Sequence, residues 1–75
     1  MNVDQGDAVA AWMLPFLQSI LVTMTFDSHP GLVCFAMKTG HMVWQRRDRF
    51  IVAEPGTPST RVAWSIEKLL EATAG

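Results

Sequence analysis

The sequence predicts a single α+β domain over residues 1–75, with a helix at each end and three or four antiparallel strands between them in two layers. Two observations carry this. Nineteen consecutive uncharged residues, Ala8 to Phe26, change apolar period partway through. Val9, Trp12, Met13 and Phe16 recur at helical spacing, whereas Ile20, Val22, Met24 and Phe26 alternate with Leu21, Thr23, Thr25 and Asp27 as a strand does. Later, Glu54-Pro55-Gly56-Thr57-Pro58 breaks the strand pattern and helical spacing resumes to the end.

The first helix is expected from about Asp4 to Ser19, with Asp4 or Asp7 accepting the free amide protons of its first turn. Pro15 removes one backbone bond and should kink or shorten it. The first strand comes next, from Ile20 to Phe26. Asp27-Ser28-His29-Pro30-Gly31 supplies turn residues. Leu32 to Met37 is apolar on both faces, as expected of a central strand covered on both sides. Lys38-Thr39-Gly40-His41 fits a hairpin connection, and the next strand starts at Met42. Gln45 to Arg49 reads in two ways: as the polar middle of one long edge strand reaching Ala53, the favoured reading, or as a turn that makes Phe50 to Ala53 a fourth strand. Thr57 is the expected N-cap of the last helix and Pro58 its first residue. Val62, Ile66, Leu69, Leu70 and Thr73 form its apolar face; Arg61, Trp64, Lys68 and Glu71 lie away from it.

A domain of this size buries little core, yet 49% of its residues are hydrophobic and only 17% charged. Such a composition leaves apolar side chains outside and points to a surface for self-association or for a partner. Covering the second face of the sheet is most easily done by a second copy, so a homodimer is expected. The net charge of -1 gives no global reason to expect nucleic acid, membrane lipid or an acidic partner. The single cysteine, Cys34, excludes an intramolecular disulfide framework and favours a reducing, cytoplasmic location.

Ala8 to Phe26 is long enough for a membrane span, with a mean hydropathy of about 1.6. Pro15, Gln18, the acidic flanks and the lack of any Lys or Arg before Lys38 argue against insertion, and a secretory signal would need a positive start.

No catalytic, cofactor or metal signature emerges. A Cys34 thiolate paired with His29 or His41 is chemically conceivable, but Cys34 sits mid-strand among apolar neighbours, where cysteine acts as a small hydrophobe. Asp27, Ser28 and His29 are sequence neighbours in a turn, whereas triads assemble through the fold. The histidines and carboxylates lack zinc or calcium spacing, and the glycines lack a phosphate-cradle pattern. Trp12, Trp44 and the scattered methionines are best explained as packing.

Two features remain. Arg46, Arg47 and Arg49, with Lys38 near them, hold four of the six basic residues, beside Trp44 and Phe50. They suit a solvated edge that discourages aggregation, an acidic protein partner, or phosphates with a stacked base. Trp64 falls opposite the apolar stripe of the last helix, in the company of Arg61 and Lys68, as an interface anchor would. The expectation is a small non-enzymatic protein without cofactor that binds another protein as inhibitor, adaptor or regulatory subunit. The named residues are Arg46, Arg47, Arg49, Arg61, Trp64 and Lys68. A nucleic-acid binder using the three arginines and a membrane-inserted protein using residues 8–26 are the alternatives.

Overall fold

The computed structural model describes residues 18–75. The expected first helix over Asp4–Ser19, with Trp12 and Met13, lies outside the described residues apart from Gln18 and Ser19, which belong to a 3-10 turn. Beyond that turn the chain forms a four-stranded antiparallel meander, β1 (Ile20–Thr25), β2 (Val33–Met37), β3 (Met42–Arg46) and β4 (Arg49–Ala53), then helix α1 (Ser59–Ala72). The α+β class therefore holds for the described part.

Strand β1 begins inside the stretch considered as a membrane span. A single helix over residues 8–26 is thereby ruled out for its second half, since β-alternation wins at Ile20–Thr25. Among the described residues no helix is long and apolar enough to cross a membrane.

The strands meet in a regular register. Met24, Cys34, Trp44 and Ile51 lie side by side across the four strands, as do Thr23, Phe35, Val43 and Val52 on the other face. A register shift between Ile20 and Val22 breaks the expected alternation of β1. Ile20 pairs with Met37 and Val22 with Ala36, so the two side chains stand on opposite faces. Ile20 accordingly joins Phe35 against buried Met37 and Val43, while Val22 is 50% exposed.

Residues 45–49 do not form the favoured continuous strand. Arg46 pairs with Arg49 and the chain reverses through Arg47 and Asp48, which gives a fourth strand. The local cause is backbone chemistry that apolar patterning does not report. Arg47 takes φ +58 while Asp48 stays negative, the combination of a tight two-residue hairpin loop, and Gln45 Nε2 donates to the Arg47 carbonyl at 3.1 Å.

Helix α1 rests on β4 and β3. Ile51 and Ala53 are half-buried whereas Val52 is exposed, so the helix covers the face shared by Ala36, Met42, Trp44, Ile51 and Ala53. Its own buried side is the expected one. Leu69 and Thr73 are buried, and Val62, Ile66 and Leu70 are half-buried. Withdrawing Leu69 from water contributes roughly 2 kcal/mol. Thr73 tolerates burial because its hydroxyl donates to the Leu69 carbonyl at 2.7 Å. The start of the helix differs from expectation. Pro58 is the capping residue, and Thr57 instead donates its hydroxyl to the Glu54 carbonyl at 2.7 Å, closing the turn that leads into the helix.

Candidate functional site

The six residues singled out from the sequence fall into two groups at opposite ends of β4. Arg46, Arg47 and Arg49 surround the β3–β4 hairpin, beside the β1–β2 turn. Arg61 flanks the other end of β4, where it lines a cleft with Ile51, Ala53, Glu54 and Val62. Trp64 and Lys68 continue from Arg61 along one side of α1, because spacings of three and four residues stack on one helical face.

The hairpin presents its arginines unequally. Arg46 is half-buried and tied down: its Nε donates to the Pro30 carbonyl at 3.2 Å, which joins the β1–β2 turn to the end of β3. Arg47 and Arg49 are exposed. Among the described residues the sole ion pair is Lys68 with Glu71; none of the three arginines is ion-paired, and Asp48 is the one carboxylate at the tip. The charge at the tip is therefore available to an anionic partner, and Arg47 stands at its apex in a backbone conformation that favours glycine.

On the helix, Trp64 is 56% exposed and shares a shallow depression with Pro58, Thr60 and Arg61. Lys68 Nζ lies 5.6 Å from the centre of the Trp64 ring and 3.3 Å from Glu71 Oε2. The ammonium is thus shared between an aromatic face and a carboxylate, which restrains the indole without covering it. An exposed, laterally held Trp between two cations can offer apolar area and an N–H donor to a partner at small cost in side-chain entropy.

The sequence had Trp44 as a core residue and left its partners open. Its ring stacks on Phe26 with centroids 5.6 Å apart and planes inclined at 26°, and its indole N–H is buried with no hydrogen-bond acceptor. Phe26 follows β1 and Trp44 lies on β3, so the rings meet across β2. No sequence spacing signals that meeting, because it depends on strand register.

Cys34 is fully buried, and burial pushes its thiol up to about 11 from 9.0. A thiol so protonated is a poor nucleophile near neutrality. His41 contacts Thr39 instead, with Nδ1 at 2.7 Å from the hydroxyl, and the His29 amide donates to the Phe26 carbonyl within its turn. Neither imidazole meets the thiol. Among the described residues, no group of three or more His, Cys, Asp or Glu is placed to hold a metal ion. No family model, curated protein or solved structure matches the chain.

Proposed function

We propose that this is a small non-enzymatic binding protein, working as a homodimer in the reducing cytoplasm. It would engage another protein as an inhibitor, adaptor or regulatory subunit. The observation that carries the reading is Trp64. More than half of this large aromatic lies open to solvent on the side of α1 turned from the sheet, bracketed by Arg61 and Lys68. Aromatic and arginine side chains dominate binding energy at protein interfaces, and the flanking cations favour a partner that is acidic around an apolar pocket. The hairpin of Arg46, Arg47 and Arg49, three cations against the single carboxylate of Asp48, adds a second electropositive contact.

The test starts with tagged protein recovered from native lysate with and without nuclease, followed by affinity measurements on whatever protein remains bound. Trp64→Ala should weaken that binding by more than about 2 kcal/mol, roughly thirtyfold, while stability shifts by no more than about 0.5 kcal/mol. Unchanged affinity together with lowered stability would return Trp64 to a structural role. Replacing both Arg46 and Arg47 by Glu should weaken binding without unfolding the chain.

A second reading is favoured by one feature, the three arginines without carboxylate partners. They suit phosphates. Loss of the bound material on nuclease treatment, and association that falls steeply with salt, would select this reading.

A further inference from the structure

We infer that β1 is the seam of the homodimer and that it pairs antiparallel with β1 of a second copy about Thr23. The inference rests on the homodimer in the reading above and is independent of Trp64 and the arginines.

Among the described residues β1 is an outer strand, hydrogen-bonded to β2 on one side only. Proteins protect such edges with charge, proline or a covering element, because unpaired N–H and C=O groups recruit another strand. The two edges of this sheet differ sharply in protection. β4 opens after Arg47 and Asp48 with Arg49, closes before Glu54-Pro55, and carries α1. From Gln18 to Phe26 there is neither a charge nor a proline. Leu21 and Val22, next to each other on this strand, are 62% and 50% exposed.

The composition of the strand selects its occupant. Pairing about Thr23 sets Thr23 opposite Thr23 of the second copy, Val22 opposite Met24, and Leu21 opposite Thr25. Apolar side chains then meet on the face of Val22 and Met24, and hydroxyls meet on the face of Thr23. Such pairs stabilise antiparallel ladders, and a two-fold axis requires this self-complementarity. A net charge of -1 opposes the approach of two copies only weakly. The joined sheet leaves α1 and the arginine hairpin free for a partner.

The test is sedimentation equilibrium of the full chain over a wide range of concentration. Thr23→Lys and Thr23→Glu should each weaken the dimer at least about tenfold, because like charges would stand directly across the seam. An equimolar mixture of the two variants should restore a heterodimer, and Val52→Lys, on the other edge strand, should leave association unchanged. A wild type that stays monomeric throughout overturns both seam and homodimer, and leaves the edge to a foreign strand if any. A wild-type dimer that neither Thr23 variant weakens overturns the seam and keeps the homodimer. If the variants fail to fold, hydrogen exchange of the wild type decides. Outward β1 amides should exchange more slowly in concentrated than in dilute solution, and equal rates would refute the pairing.

Discussion

Gly40→Ala probes how the β2–β3 turn is joined to the segment that launches α1. Gly40 has φ +88, a region in which an L-residue pays about 1–2 kcal/mol. A Cβ there would also stand 3.1 Å from Pro55 Cγ and 3.3 Å from Pro55 Cβ. Both distances are shorter than the optimum for carbon atoms, and relieving that crowding adds about 1 kcal/mol. The expected loss is therefore about 2–3 kcal/mol. In a domain of this size that lowers Tm by roughly 10–20 °C. Gly56 supplies the control. Its φ is +84, but a Cβ would meet nothing within 4 Å, so Gly56→Ala should show the conformational cost alone. Thermal unfolding followed by circular dichroism measures both. Adding Pro55→Ala to Gly40→Ala removes Cγ and keeps Cβ, so it should recover part of the difference between them. Equal destabilisation by the two glycine variants would mean that the Pro55 contact contributes nothing. A neutral Gly40→Ala would refute the backbone reasoning as well.

Two further outcomes rest on local chemistry. Burial raises the Cys34 thiol to about 11, so the fold favours the neutral form and its contribution is complete below pH 9. Wild-type stability should fall relative to Cys34→Ala as pH rises from 9 towards 11, and a pH-independent difference in urea midpoints would refute this. Arg47→Gly should raise stability by about 0.5–1 kcal/mol, because relief of the positive φ outweighs the extra freedom of glycine in the unfolded chain. A lower urea midpoint would show that the arginine side chain, rather than its backbone, stabilises the hairpin.

Much of the scaffold was legible in the residues. Leu32 to Met37 reads as an inner strand because both its faces are apolar, and β2 lies between β1 and β3. The buried side of α1 can be read from spacing alone, and the same arithmetic leaves Trp64 outside. Cys34 among apolar neighbours reads as core and is fully buried. The errors have a common source. At Gln45–Arg49 and at Ile20–Val22 the outcome turned on one or two backbone angles or one extra residue in the ladder, and side-chain periodicity is silent about both. The expected N-cap of α1 shifted by one residue for a related reason: backbone angles make Pro58 the cap, and Thr57 closes the preceding turn on the Glu54 carbonyl.

By itself the sequence determined, for the described residues, that strands precede a final helix and which side of that helix would be wet. Those properties arise from periods of two and 3.6 residues, which are local. Tertiary structure alone decided the rest. It paired Phe26 with Trp44 across β2, tied Arg46 to the Pro30 carbonyl, and divided the six named residues between a hairpin tip and a helix face. Among the described residues it also left β1 at an edge of the sheet, paired with β2 alone. These relations join residues far apart in the chain, and they exist only once strand register fixes which side chains become neighbours.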